Sequence, residues 1–159
     1  MKIKVGFGYD VHQLAEGLPL WLGGVKFEHA KGMVAHSDGD VLIHAICDAL
    51  LGAANLRDIG FHFPNTDPAW KGADSKKLLA QVCILIREKG WEISNVDASL
   101  AAEQPKINPR ITEMQEVLAK TMGISTEDIS IKATTNETLG YVGREEGVNA
   151  YAVALIIKN

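Results

Sequence analysis

The sequence predicts an α+β fold, with a single mixed sheet of four to five strands and three helices on one side of it. Several segments alternate apolar and polar residues with a period of two, which is typical of strands. Three other segments repeat apolar residues at helical spacing. The two kinds of segment follow one another without a regular alternation. At 159 residues the chain has the length of one domain, 1–159.

The predicted strands are distributed along the whole chain. Residues 2–12 alternate in period two, and we expect Ile3, Val5, Phe7 and Tyr9 to face the core. Further strands are predicted at 19–28 with a bulge at Gly23-Gly24, at 91–102 with a register break near Asn95, at 129–133 and at 148–157.

Three helices are predicted between these strands. They run from Asp38 to Ala54 with Ser37 or Asp38 as the cap, from Ser75 to Lys89 with Gly90 as the stop, and from near Pro109 to Gly123. The stretch 55–73 is long for a connection, and its aromatic residues favour an ordered, functional loop.

Composition restricts the classes of function. Apolar residues make up 47% of the chain, charged residues 23%, and the net charge is −4. This balance argues against nucleic acid held by a broad basic surface, but it permits a phosphorylated small molecule. Cys47 and Cys83 lie in apolar helical patterns, so we expect buried free thiols in a reducing cytosol. Without a signal or spanning segment, the expected location is cytoplasmic and no membrane partner is expected.

The main candidate site is a set of three metal ligands. Asp10 and His12 are two residues apart in a predicted strand and therefore project to the same side. With His44 they make a carboxylate and two imidazoles, a set that suits zinc with one open position. The alternative is that Asp10 merely ends a strand and both histidines are incidental.

The helix that carries His44 has further polar residues on one face. Asp40, His44 and Asp48 are spaced i, i+4 and i+8 on an otherwise apolar helix. A metal-bound histidine usually donates its other ring N–H to an outer partner, and Asp40 and Asp48 are candidates for it. A solvent-facing polar stripe is the alternative.

Two segments have features of phosphate sites. His36-Ser37 lies at the predicted start of that helix, where free backbone amides favour phosphate, although His36 could simply be a polar neighbour of the cap. Residues 132–147 contain three glycines with threonines, Glu137 and Arg144, so Glu137 could hold Mg²⁺ on a diphosphate. The alternative for this segment is an ordinary loop with a surface salt bridge.

The last predicted strand, 148–157, is apolar on both faces. Helices on one side of the sheet cannot cover both faces, so the other face needs a cover of its own. We therefore expect a cyclic homo-oligomer that packs sheet against sheet.

Over its full length the chain resembles the 2-C-methyl-D-erythritol 2,4-cyclodiphosphate synthase family. The motifs that carry the resemblance lie at 8–12, 35–40, 48–53, 58–60, 63–68, 72–75, 95–97, 104–106 and 132–147. Departures are few: Asn65 stands where Asp is common, Asn136 where Thr is common and Tyr141 where Phe is common.

The resemblance implies a specific enzyme. Members are homotrimers with active sites between subunits, and they convert 4-diphosphocytidyl-2-C-methyl-D-erythritol 2-phosphate to the cyclic diphosphate and CMP in the non-mevalonate isoprenoid pathway. It implies zinc at Asp10, His12 and His44 and a substrate-bridging Mg²⁺ or Mn²⁺ at Glu137. His36 and Thr135 match residues that align the substrate and stabilise its transition state.

The resemblance also implies the positions that contact substrate. Those near the metal and the methylerythritol are Asp10, His12, His36, Ser37, Asp58, Ile59, Gly60, Phe63, Pro64, Asn65, Thr66 and Asp67. Those in the cytidine pocket and the phosphate loop are Ala102, Glu103, Gln104, Pro105, Lys106, Ile107, Asn108, Ala133, Thr134, Thr135, Asn136, Glu137, Tyr141 and Arg144. An isoprenoid diphosphate in the central trimer cavity would lie near Tyr9, Tyr141, Arg144 and Glu146.

Two other classes of function compete with this one. A metal-dependent phosphohydrolase would use the same three ligands but release a linear product. A non-catalytic isoprenoid- or nucleotide-binding module would keep the loop without needing the metal ligands.

Overall fold

The computed structural model describes all residues, 1–159, and its largest element is a five-stranded mixed sheet. The strands are β1 (Lys2–Glu16), β2 (Leu20–Leu22), β3 (Val25–Phe27), β4 (Lys31–Val34), β5 (Glu92–Ala101), β6 (Ile129–Thr134) and β7 (Gly147–Lys158). The large sheet has the order β4-β1-β7-β5-β6, and β5 with β6 is its parallel pair. The prediction of one mixed sheet is confirmed.

Three long helices and two single-turn helices accompany the sheet. They are α1 (Val41–Ala53), α2 (Ile59–His62), α3 (Ser75–Glu88), α4 (Ile111–Met122) and α5 (Gly140–Gly143), with 3-10 turns at Pro68–Trp70, Asn108–Arg110 and Thr126–Asp128. Helix α1 packs across β1 and β7, α3 packs on α1 and β5, and α4 packs on α3 and β6. The α+β class is confirmed. None of the helices has the length and apolar character needed to cross a membrane.

Two glycines of β1 let α1 lie directly on the strand. A Cβ atom added at Gly8 would come within 1.9 Å of the Ala45 carbonyl oxygen, and one at Gly6 within 1.9 Å of the Ala49 carbonyl oxygen. Any larger side chain would push the helix away. This close approach brings the residues that follow Gly8 on β1 next to the first turns of α1.

The helix-facing side of β1 is the opposite of the predicted one. Ile3, Val5, Phe7 and Tyr9 are between 43% and 63% exposed, so the expectation that they face the core is wrong within one chain. Tyr151 and Val153 of β7 are exposed too, so the helices cover only one face of this strand, as expected, and its other face is uncovered within one chain. We call the resulting surface the outer apolar face; it comprises Ile3, Val5, Phe7, Tyr9, Val11, Tyr151 and Val153.

Two local predictions in the first third of the chain are also wrong. Residues 19–28 form a separate hairpin of β2 and β3, because Gly23 and Gly24 both have positive φ (59° and 76°) and make a turn instead of a bulge. Helix α1 is capped by Asp40, whose Oδ1 accepts from the Ile43 N–H at 3.1 Å, and not by Ser37 or Asp38. Gly39, with φ of 73°, separates those two residues from the helix.

Most other elements agree with their predictions. Helix α3 begins at Ser75, β5 has its register shift between Ile93 and Asn95, and α4 ends at Gly123 with φ of 66°. Cys47 and Cys83 are buried and free, as expected. Strand β4 was not predicted, since its four residues show little alternation.

Candidate metal centre

Three side chains from two packed elements converge at one end of the sheet. Asp10 and His12 lie on β1 and His44 lies on α1, and one ligand atom from each lies within 4.8 Å of the other two. Asp10 Oδ2 is 3.0 Å from Nδ1 of His12 and 3.0 Å from Nδ1 of His44. The predicted convergence is confirmed. Asp10 does not end the strand, because β1 continues to Glu16.

The donor atoms fit a divalent cation. His12 Nδ1 is buried and makes no hydrogen bond of acceptable geometry, although Asp10 Oδ2 is close to it. Nitrogen and oxygen ligands bound at about 2 Å around one tetrahedral ion lie about 3.3 Å apart, which is similar to the spacing here. Two imidazoles and one carboxylate leave a fourth position open, as catalytic zinc sites do.

The charges of the three groups are coupled. Burial raises the pKa of Asp10, but the close polar contacts with His12 and His44 and the charge of the two imidazoles outweigh it and lower the pKa to about 2. Burial lowers the pKa of His44, but the Asp10 carboxylate, through a hydrogen bond and its charge, raises the pKa overall. Asp10 is therefore an anion whose main partners are the two imidazoles.

The outer partner of His44 differs from both predicted ones. His44 Nε2 lies 2.9 Å from Ser75 Oγ and 3.3 Å from Ser37 Oγ. The Asp40 carboxylate accepts from backbone N–H groups at the start of α1 and in the turn between β2 and β3. Asp48 Oδ1 accepts from the Ile59 N–H at 2.7 Å. The solvent-facing stripe is wrong as well, because Asp40 and His44 are buried.

A cavity of about 190 Å³ adjoins the three ligands. It is lined by residues predicted to bind substrate, namely His36, Ser37, Ile59, Gly60, Phe63 and Asn65. Trp70 and Leu78 also line it and were not predicted; Trp70 stacks edge-on against Phe63 with ring centroids 4.9 Å apart. Aromatic residues at 61, 63 and 70 had indicated an ordered loop, but not which ring would face the cavity.

His36 and Ser37 line the cavity, but they do not lie at the start of α1 as predicted. They precede the α1 cap by several residues, so they do not use the exposed amides of the helix start. The segment is held instead by the Gly72 N–H, which donates to the His36 carbonyl at 2.8 Å. His36 Nε2 is buried without a hydrogen-bond partner, which leaves it available to a ligand.

The segment beyond α1 is shaped by three aspartates. Asp48 holds the first N–H of α2, Asp58 caps α2 by accepting from the Phe61 N–H at 2.9 Å, and Asp67 accepts from the Ala69 N–H at 2.9 Å. Pro64 and Thr66 lie in the turn between the two caps. Asp58, Pro64, Thr66 and Asp67 do not line the cavity in one chain.

The remaining predicted substrate residues form a second group, which we call the loop cluster. It comprises residues 102–108 after β5 and 133–138 at the end of β6 and beyond. Because β5 and β6 are parallel, their carboxyl ends meet, and Glu103 Oε1 accepts from the Asn136 N–H at 2.7 Å and the Thr138 N–H at 3.3 Å. No residue of the loop cluster lines the cavity of the same chain.

Tyr141 and Arg144 lie at α5, beside the outer apolar face. A hydrogen bond with Tyr9, then burial, raises the pKa of Tyr141 to about 12. Arg144 pairs with Glu146 at 3.0 Å, and both side chains are exposed. One chain therefore places these residues away from the metal ligands, at the edge of the surface expected to meet other subunits.

Comparison with known proteins assigns the chain to a family. The 2-C-methyl-D-erythritol 2,4-cyclodiphosphate synthase of Cytophaga hutchinsonii is 76% identical over 158 residues, which are 99% of this chain and 99% of that protein. A solved 2C-methyl-D-erythritol-2,4-cyclodiphosphate synthase in a CDP-bound form is 36% identical with a TM-score of 0.90, covering 97% of this chain and 100% of that one. The bifunctional IspDF of Campylobacter jejuni is 42% identical with a TM-score of 0.94; the match covers 98% of this chain and 42% of that longer one. The model of the YgbB family matches residues 3–157, and the chain therefore belongs to the YgbB family.

Proposed function

We propose that the protein converts 4-diphosphocytidyl-2-C-methyl-D-erythritol 2-phosphate to 2-C-methyl-D-erythritol 2,4-cyclodiphosphate and CMP, as a cyclising phosphorus–oxygen lyase of the non-mevalonate isoprenoid pathway. The observation that carries this proposal is the convergence of Asp10, His12 and His44 beside a cavity. It occurs in a chain that is 76% identical to a protein named as the synthase of this cyclic product.

The reaction is an internal displacement at phosphorus. An oxygen of the 2-phosphate forms a bond to the β-phosphorus, and the bond from that phosphorus to the oxygen shared with the α-phosphate breaks, so that CMP leaves. No water is consumed. Holding both ends of one substrate in contact can supply up to ~7–11 kcal/mol relative to free reactants.

Two cations are part of the proposal. Asp10, His12 and His44 would hold zinc, and Glu137 would hold Mg²⁺ or Mn²⁺ together with the substrate diphosphate. Bound there, the cations supply positive charge that reduces the repulsion between the two phosphate groups.

The side chains around the cations would orient the two ends of the substrate. His36 offers a buried ring nitrogen without a partner inside the cavity, suited to a phosphate oxygen. Thr135 lies within 3.5 Å of the Glu137 carboxylate, so its hydroxyl would lie next to the diphosphate. Residues 102–108, with the cation of Lys106, would hold the cytidine, while the segments 58–60 and 63–67 would hold the methylerythritol.

We propose that the active form is a homotrimer in which the loop cluster of one subunit completes the cavity of its neighbour. The outer apolar face supports this, since exposed aromatic and branched residues on two adjacent strands need a cover. The separation of the loop cluster from the cavity of the same chain supports it too. An isoprenoid diphosphate would then lie on the trimer axis, near Tyr9, Tyr141, Arg144 and Glu146. We also propose a cytoplasmic location, which is consistent with two free thiols.

The decisive experiment measures CMP release from the diphosphocytidyl substrate with and without a chelator, and identifies the second product by phosphorus NMR. A cyclic diphosphate lacks a terminal phosphate resonance, and its chelator-sensitive formation would support the proposal. A linear product would show a phosphohydrolase. Binding of substrate without any CMP release would show a non-catalytic module.

A further inference from the structure

Ser75 connects the metal centre to a carboxylate that has no assigned role. It is the first residue of α3 and is fully buried. Its Oγ lies 2.9 Å from His44 Nε2 and also donates a hydrogen bond to Asp38 Oδ1. Asp38 is itself fixed, because its Oδ2 accepts from the Ser75 N–H at 2.8 Å and its Oδ1 from the Asp40 N–H at 3.1 Å.

The direction of these hydrogen bonds determines the tautomer of His44. A serine hydroxyl has one proton, and a carboxylate only accepts, so the proton of Ser75 is directed at Asp38. The lone pairs of Ser75 Oγ then accept from the N–H of His44 Nε2. His44 Nδ1 is left with its lone pair on the side of Asp10 and His12, where a cation would bind. Ser37 is a weaker second acceptor at 3.3 Å.

We propose that Asp38 and Ser75 form a hydrogen-bonded relay that fixes the tautomer and orientation of His44 and so sets the metal affinity of the site. The inference rests on the metal site of the proposed function. Ser75 and Asp38 are positioning residues, since neither belongs to the three candidate ligands or lines the cavity. Loss of such an outer partner typically weakens metal binding by about 10- to 100-fold.

The test measures zinc affinity of the full-length protein, stripped of metal, by competition with a chromophoric chelator. Ser75→Ala should bind zinc about 10- to 100-fold more weakly than the unsubstituted protein. Asp38→Asn should weaken binding less, because an amide oxygen still accepts from the Ser75 hydroxyl but without the negative charge. Asp74→Ala is the matched control: Asp74 caps α3 by accepting from the Lys76 N–H at 2.9 Å, next to Ser75 but outside the relay. It should lower Tm and leave zinc affinity unchanged.

A spectroscopic measurement distinguishes positioning from simple stabilisation. In the zinc-loaded protein, the His44 Nε2 proton should exchange slowly with water, and in Ser75→Ala it should exchange too fast to detect by ¹⁵N-edited NMR. Equal zinc affinity in Ser75→Ala and the unsubstituted protein would overturn the relay and leave the metal site standing. Equal losses in Ser75→Ala and Asp74→Ala would also overturn it, since the effect would then arise from the start of α3. Failure of the unsubstituted protein to bind zinc would overturn the metal site, and the relay with it.

Discussion

The metal centre and the loop cluster are built in opposite ways. The three metal ligands project from β1 and α1, whose backbones touch at Gly6 and Gly8, and His44 is buried. The loop cluster follows the ends of β5 and β6, the side chains of Lys106 and Glu137 are exposed, and Glu137 has a left-handed φ of 52°. One chain thus holds its candidate metal ligands in place by core packing, whereas the residues proposed to bind the nucleotide lie at its surface.

The difference follows from how accurately each group of side chains must be positioned. A metal site needs donor atoms placed to within a fraction of an ångström, and packed elements provide that accuracy better than loops do. A loop that admits a nucleotide must leave room for it until it binds. Here Glu103 holds part of the backbone of the loop cluster, since its carboxylate accepts from two N–H groups after β6.

Removal of a metal ligand should have the largest effect. We expect His44→Ala to lose zinc and to reduce turnover by about 10³-fold or more, since the cation contributes several kcal/mol to the transition state. Metal analysis and CMP release measure the two effects on the same sample. His29→Ala is the control, because His29 lies outside the cavity and the ligand set. Full zinc occupancy in His44→Ala would refute the ligand assignment.

A charge on the outer apolar face should prevent assembly. Phe7 is 63% exposed in one chain, and Phe7→Asp would bury a carboxylate between subunits. We expect sedimentation to show a monomer with little activity, since its cavities would lack the neighbouring loop cluster. Ile84→Asp, at a position on α3 that is 46% exposed, should remain a trimer. A fully active trimer of Phe7→Asp would contradict the proposed assembly.

Substitution in the loop cluster should lower turnover without loss of the metal. Thr135→Ala removes one hydroxyl expected to contact the reacting diphosphate, so we expect kcat to fall by about 10²- to 10³-fold. KM should change little, and zinc content should stay at the level of the unsubstituted protein. A rise in KM at constant kcat would mean that Thr135 serves only substrate binding.

The sequence predicted the ligand set because a period-two strand and a helix each carry their own local signal. It could not predict which side of β1 meets the helices, because alternation shows only which residues share a side. Ile3 and Val5 were expected to lie in the core. The helix α1 packs instead on the other face of β1, where the glycines lie. An apolar face of a strand can be buried either in the core or at a subunit interface, and the local sequence pattern is the same in both cases.

The outer partner of His44 was missed for a related reason. Ser75 is 31 residues from His44 and is recognisable locally only as the start of a helix. Asp40 and Asp48 were favoured by helical spacing, but both are used by neighbouring backbone N–H groups. Spacing identifies residues on one face of a helix, whereas hydrogen-bond partners from other elements depend on the complete fold.

Mixing two defective variants should test whether the metal centre and the loop cluster of one site belong to different subunits. His44→Ala and Thr135→Ala each damage one of the two groups. After dissociation and random reassembly at equal amounts, about a quarter of the sites in a cyclic trimer should combine an intact metal centre with an intact neighbouring loop cluster. We expect activity to recover to about that fraction of the unsubstituted value. If activity stays at the mean of the two variants, each site is made by one chain.

The smallest predicted effect is a pH dependence confined to the metal centre of the metal-stripped protein. The pKa of Asp10 falls from 3.8 to about 2 on folding, so its contribution to stability is present above about pH 4 and is lost as the pH falls towards 2. The pKa of His44 rises above 6.5, so its contribution is fully present below that pH and is lost as the pH rises through the folded value. For Asp10 the shift corresponds to about 2 kcal/mol, or a few degrees in Tm for a chain of this size.

Thermal unfolding between pH 2 and 8 should therefore separate the metal-stripped protein from its Asp10→Asn variant most clearly near pH 5. Thr135→Ala should follow the unsubstituted curve throughout, because the loop cluster has no part in this pair. Parallel curves for Asp10→Asn and the unsubstituted protein would show that the carboxylate and the imidazoles do not pair without a cation, and that the metal centre is no more preformed than the loop cluster.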